Sequence, residues 1–296
     1  MPVPENPNNT IDDSMRSAIR DIGIPPRPTV LVQIDQEMQK DEPDFSRLAK
    51  ILGTDVALAA ALLKTANSPF FGFDKKVRSV QEALLVLGLK LVIQTVAGLS
   101  LKKAFEHVPH MERFWDASAA TARVSGWLAR QLTGRCAVRA EDAYTFGLFR
   151  DCGIPLLMIP FPEYRNVLKQ ANEEQVLSFT EVEDRAISIN HATMGADLAE
   201  SWLLPREIVL AIRYHHHLGP AGAVNRETAI EVLPAAAWTM IALAGVAEHL
   251  IQLKTGLDHT SEWNKGAKFD LQQLGLTEAD LAELENDCGE VVTGRE

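Results

Sequence analysis

The chain has 296 residues, of which 46% are hydrophobic and 23% charged, the composition of an ordinary globular protein. Its net charge is −11, and no run of Lys or Arg exceeds two adjacent residues, which argues against an extended nucleic-acid surface. The N-terminal residues lack the features of a secretory signal, and the longest apolar run, 233–247, is too short to span a membrane. We therefore expect a cytoplasmic protein that neither binds nucleic acid nor inserts into a membrane.

The N-terminal region has helical periodicity from about residue 24 onward. We assign residues 1–23 to a polar tail and lead-in. Asp44 and Asp55 each stand directly before an apolar stripe with i, i+3, i+4, i+7 spacing, which predicts two short helices with capped N-termini. Asn67 follows the second stripe, where an amide side chain can satisfy the backbone groups that a helix end leaves unpaired.

Two longer helices follow, and a glycine separates them. Ser79 with Glu82 has the spacing of a capping box, which predicts a helix start. Gly88 interrupts the apolar stripe, so a second helix is expected over residues 89–104. The segment His-Val-Pro-His at 107–110 then predicts a junction.

Helical stripes resume after this junction. The predicted helices lie around residues 119–132, 143–149, 164–171, 191–202, 205–217 and 235–253, with one or two more over 271–284. Thr180 with Glu183 has the spacing of another capping box. Strand-like alternation is scarce, so the sequence predicts an all-α protein of two helical parts, residues 24–108 and 109–296, the second with a C-terminal extension.

Four blocks in the first part resemble the HDOD domain family, a branch of the HD superfamily that serves bacterial signalling. The blocks are PPRP at 25–28, DVAL at 55–58, ANSPFFG at 66–72 and SVQEALLVLGL at 79–89. They follow one another in the order of the family. The resemblance implies a two-part helical bundle with an HD-like C-terminal subdomain. It gives structural roles in turns and helix ends to Asn67, Ser68, Gly72 and Gly88.

The second part resembles the HD superfamily at positions where its phosphohydrolases bind a metal. GLFRDCG at 147–153 resembles the family's GLLHDIG, and HATMGA at 191–196 resembles its DHAEVGA. Residues 202–216 resemble its WxLPxxIxxAIxxHH. Carried over residue by residue, the resemblance implies metal ligands at Asp151, His191, His215 and His216.

Three expected ligands are missing from that pattern. Two histidine positions hold Ala117 and Arg150, and the helix predicted over 235–253 has no Asp and only one acid, Glu248. A methyl group has no donor atom, and a guanidinium carries N–H donors without a lone pair. We therefore expect no catalytic residue, no cofactor and no bound metal. The remaining candidates for a residual metal are Asp151, His191, His215 and His216.

Arg150 and Asp151 have two interpretations. They can form a partly buried ion pair that replaces the charge of the metal. Alternatively, Arg150 can bind an anion such as a nucleotide phosphate.

The resemblance implies a bacterial signal-transduction output or adaptor protein that is not an enzyme and acts through protein–protein contacts. Two alternatives stay open, a residual metal-dependent phosphohydrolase and a nucleotide sensor that uses the vestigial cleft. We expect a protein partner to bind near the junction, residues 105–113, and a homo-oligomer is compatible with the sequence. The sequence identifies neither the partner nor the signal.

Overall fold

A computed structural model of the protein describes residues 23–67, 76–216, 233–256 and 260–294. Within these ranges the regular structure is helical, apart from one isolated bridge between Thr133 and Cys136. The predicted all-α fold is therefore confirmed. Ser68 and Gly72, which the resemblance assigns to a turn, lie outside the described residues.

The helices run along the chain in the following order. They are α1 (Thr29–Met38), α2 (Phe45–Gly53), α3 (Val56–Ala66), α4 (Val80–Ala104), α5 (Glu112–Gln131), α6 (Ala140–Phe149), α7 (Gly153–Met158), α8 (Tyr164–Glu173), α9 (Phe179–Ile187), α10 (His191–Ser201), α11 (Arg206–Tyr214), α12 (Ala235–Thr255), α13 (Glu262–Leu274), α14 (Glu278–Asp287) and α15 (Gly289–Thr293).

The predicted helix starts and stops in the first part are confirmed. The carboxylates of Asp44 and Asp55 accept hydrogen bonds from backbone amides in the first turns of α2 and α3. Gly88 interrupts α4 with φ of 74°, in the left-handed region that favours glycine. Asn67 donates to the carbonyls of Leu63 and Val77 and accepts from the Val77 amide, each at 2.8 Å. Its side chain thus ties the end of α3 to the segment before α4.

The predicted capping box at Thr180 and Glu183 is wrong. Helix α9 begins two residues earlier than this box predicts, and its capping box is formed by Ser178 and Glu181. Both pairs have the same spacing, so the sequence pattern alone does not separate them. Thr180 and Glu183 are buried within α9, where Glu183 serves the site described below.

A single apolar cluster crosses the predicted boundary near residue 108. It extends from Leu31 and Ile34 in α1, through Phe105, to Ile241 in α12. A second cluster joins α5 and α12 to the C-terminal helices α13, α14 and α15. The two predicted parts share this continuous core. Their division near residue 108 stays a prediction.

Two helices, α4 and α12, are long and apolar enough by length and composition to cross a membrane. Both contribute buried side chains to the clusters, among them Val92 and Leu101 from α4 and Leu243 and Leu250 from α12. Burial in the protein core accounts for the apolar composition of α4 and α12.

Candidate functional site

The residues that the resemblance assigns to a metal site come from three helix ends. Arg150 and Asp151 lie at the C-terminal end of α6, and His191 is the first residue of α10. His215 and His216 follow α11. All except Asp151 are buried or nearly so, and Asp151 is half-buried.

A close helix contact brings these ends together. A Cβ at Gly153 would lie 2.0 Å from the carbonyl oxygen of His191, so only glycine allows the start of α7 to pack on α10. Asp151, two residues earlier, therefore lies beside His191. The half-buried N-cap residue Asn190 accepts from the Thr193 amide at 2.9 Å and fixes the start of α10.

Three atoms at the centre of the site form a nearly equilateral triangle. Asp151 Oδ1 lies 3.4 Å from His191 Nε2 and 3.2 Å from His215 Nε2, and the two imidazole nitrogens are 3.3 Å apart. A tetrahedral zinc ion with bonds of roughly 2.0–2.1 Å holds its ligand atoms at about such separations. With a nitrogen of His216, the candidate ligand atoms all lie within 4.8 Å of one another.

Buried partners orient both histidines of this triangle. His191 Nδ1 donates to Glu183 Oε2 at 2.7 Å, and the other oxygen of Glu183 accepts from the Tyr164 hydroxyl. His215 Nδ1 donates to the carbonyl of Ile212 at 2.7 Å. Both Nε2 atoms consequently face Asp151. A carboxylate behind a metal-ligating histidine is a common arrangement in metal sites.

The pKa values of the three residues in the triangle are shifted in different directions. Burial lowers the pKa of His191, but Glu183 and Asp151 outweigh burial and raise it to about 10. Burial and the neighbouring His216 hold the pKa of His215 well below its usual value. Burial raises the pKa of Asp151, but Arg150 and the two histidines hold it well below its ordinary range. A metal ion would have to displace the proton on His191 Nε2.

Arg150 occupies the other side of the same carboxylate. Its Nη2 donates to Asp151 Oδ2 at 3.0 Å and also to Glu248 of α12. Burial lowers the pKa of Arg150, but the two carboxylates outweigh burial and raise it, so the guanidinium stays charged. The predicted ion pair between Arg150 and Asp151 is present, and Glu248 extends it. With two carboxylates matched to one guanidinium, Arg150 offers no excess positive charge to a phosphate.

The remaining predicted position, Ala117, lies on the second turn of α5 and is half-buried. Its side chain supplies no ligand atom. The described residues therefore offer one compact set of ligand atoms, which fits a single metal ion, and they do not complete a second set.

The sequence patterns missed several polar groups at the site. Glu183 and Tyr164 are fully buried partners of the His191 ring, and Glu262 of α13 accepts from His216 Nδ1 at 2.8 Å. Burial raises the pKa of Glu262, but His216 and Lys265 lower it to about 2. One feature of the sequence could have identified Glu183. It lies four residues after Phe179, which places an acid on the apolar face of α9.

A family model described as the HDOD domain matches residues 24–218. The chain belongs to the HDOD family. The match ends shortly after His216, so helices α12 to α15 of this HDOD chain lie outside it.

Solved structures share the fold. An HDOD domain protein of unknown function from Geobacter sulfurreducens has a TM-score of 0.66 and 20% identity, covering 95% of this chain and 96% of that one. A protein from Marinobacter aquaeolei VT8, provisionally called a signal transduction protein, has a TM-score of 0.65 and 22% identity, covering 95% and 64%. At such identities the likeness shows the all-helical fold alone.

A curated relative shares part of the sequence. An uncharacterised protein of Treponema pallidum (strain Nichols) is 29% identical over 199 residues, which are 66% of this HDOD chain and 38% of that protein. The chain thus spans well under half the length of this relative.

Proposed function

We propose that this HDOD chain is a non-catalytic signal-transduction protein that acts through protein–protein contacts in the bacterial cytoplasm. The observation that carries the proposal is the guanidinium of Arg150, held between Asp151 and Glu248 where a catalytic site needs a metal ligand. A permanent positive charge at hydrogen-bond distance from Asp151 repels a divalent cation on the same carboxylate. The ion pairs supply the neutralising charge that the metal would otherwise bring.

Loss of ligands supports the same proposal. Ala117 provides no ligand atom, and Arg150 provides none with a lone pair. Each missing ligand removes binding free energy, and activation of water by two metals requires both ions in place. The Marinobacter protein of the same fold is provisionally called a signal transduction protein, which agrees with a signalling role.

Turnover assays with added Mn²⁺ test the proposal. We expect the protein to hydrolyse neither phosphodiester nor phosphomonoester substrates. The Ala117→His, Arg150→His double variant should gain metal affinity while remaining a poor catalyst. The reason is that α12 still has no Asp, whereas the HD pattern places a metal ligand on this helix. Turnover by the unmodified protein that His191→Asn abolishes would overturn the proposal.

A second candidate function is a residual metal-dependent phosphohydrolase. The triangle of Asp151, His191 and His215 favours it, because its edges of 3.2–3.4 Å suit one ion and Glu183 orients His191 as in metal sites. The same assay separates the two candidates. This second candidate requires metal-dependent turnover, whereas the first requires none.

The partner surface that we propose lies at the junction, residues 105–113. Phe105, Val108 and Met111 are buried there, so a partner would meet the exposed polar side, which carries His107 and His110. Hydrogen exchange of the protein with and without its purified partner tests this location. Protection confined to other surfaces would contradict it, and a second copy of this chain is one partner to examine.

A further inference from the structure

A cleft between α12 and α13 adjoins the vestigial site, whose Arg150, His215 and His216 also line it. The space at its base, about 40 Å³, holds a few water-sized groups. Its lining side chains come from both helices and from the adjoining site. The side chains that matter here are Arg150, Glu248, His249, Glu262, Trp263 and Asp270.

Asp270 is the side chain in this cleft that lacks a partner. It is 4% exposed, and its Oδ1 is buried without a hydrogen-bond partner among the described residues. A Cβ at Gly245 would lie 2.2 Å from Asp270 Oδ2, so the absence of a side chain at Gly245 makes room for the carboxyl group. A buried carboxylate is costly unless a proton or a cation neutralises it.

The groups that face Asp270 do not neutralise it. Burial, followed by the nearby Glu248, raises the pKa of Asp270 well above its usual value, and Arg150 opposes this only in part. Arg150 is already paired with Asp151 and Glu248. The carboxyl group of Asp270 therefore favours a proton while the cleft is empty.

The carboxylate of Glu262, elsewhere in the cleft, is already paired, with Lys265 at 2.6 Å and with His216 at 2.8 Å. Burial lowers the pKa of His249, so its ring is neutral, and it stacks on Trp263 with ring centroids 4.0 Å apart. Neutral aromatic faces and carboxylates attract cations and offer little to an anion.

We propose that this cleft binds one compact monovalent cation, an ammonium or guanidinium group, through Asp270. The cation replaces the proton on the Asp270 carboxyl group, and that proton leaves to the solvent, so charge is conserved. The site depends on α13, outside the matched family segment, and goes beyond the proposed function.

Titration calorimetry of the full chain tests the site with two probes in separate arms, methylguanidinium and Mn²⁺. Each arm is run at pH 7.5 in two buffers that differ in ionisation enthalpy. We expect one equivalent of methylguanidinium to bind with release of up to one proton, and we expect no Mn²⁺ binding that depends on Asp270. Asp270→Asn keeps the shape of the side chain without its charge, and it should weaken binding at least tenfold and abolish proton release. Asp287→Asn, an exposed change on α14, is the matched control and should bind as the unmodified protein does.

Two results would overturn the site. One is the absence of methylguanidinium binding, and the other is equal methylguanidinium binding by the unmodified protein and Asp270→Asn. Mn²⁺ that binds equally to both proteins occupies the Asp151 cluster, and that result counts against the proposed function alone. The two proposals therefore fail on different observations.

Discussion

The two sides of the Asp151 carboxylate differ in what they have kept. Oδ1 faces His191 and His215 in an arrangement that fits a metal ion, with Glu183 and Tyr164 buried behind it. Oδ2 faces Arg150, which is also paired with Glu248. One side thus has a geometry that fits a metal ion, while the other is occupied by a charged ion pair. The comparison teaches that one carboxylate can serve two kinds of partner, because its two oxygens face different side chains.

Removing the guanidinium of Arg150 should have the largest effect on the stability of the protein. Arg150→Met leaves Asp151 and Glu248 without their cation in a largely buried setting. We expect a loss of about 3 kcal/mol in the free energy of unfolding, measured by urea denaturation. The control is Arg185→Met, an exposed change on α9 that should cost at most about 0.5 kcal/mol. Equal stability of the two variants would show that the ion pairs do not hold the site.

How much of this site could be predicted from the sequence depends on the range of each interaction. The caps at Asp44 and Asp55 and the break at Gly88 follow from local patterns, and they are found as predicted. Asp151 and the histidines came from motif resemblance, which carries information about distant contacts. Glu183 was assigned to a helix cap and Asp270 was missed, because their roles arise only when α9 packs on α10 and α13 packs on α12.

Neutralising Glu183 tests the side of Asp151 that faces His191 and His215. Glu183→Gln removes the charge that holds His191 protonated while keeping the shape of the side chain. We expect a loss of about 2 kcal/mol at pH 7, since hydrogen bonds to charged groups are worth roughly 1.5–3 kcal/mol. Glu200→Gln, an exposed change on α10, is the control and should have little effect.

The effect of Glu183→Gln should also depend on pH. The pKa of folded His191 is raised to about 10, so its contribution to stability is complete below the unfolded value near 6.5. That contribution is lost as the pH rises through about 10. The stability difference between the unmodified protein and Glu183→Gln should therefore narrow from pH 6 to pH 10. A difference that stays constant would contradict a protonated His191.

Asn67 offers the smallest expected effect and lies far from the site in sequence. Asn67→Ala leaves the carbonyls of Leu63 and Val77 without their side-chain donor, and we expect a cost of about 1 kcal/mol because Asn67 is exposed. Thermal unfolding measures it, with the exposed change Asn264→Ala on α13 as the control. An unchanged melting temperature together with lost partner binding would make Asn67 a recognition residue instead.

The most direct test of the central claim is the metal content of the unmodified protein, purified without chelators and measured by elemental analysis. We predict far less than one equivalent of divalent metal per chain, because Arg150 and the proton on His191 compete for the atoms that a metal needs. One equivalent of metal that is lost in His215→Ala would contradict the claim. It would show that Asp151, His191 and His215 still form a working metal site.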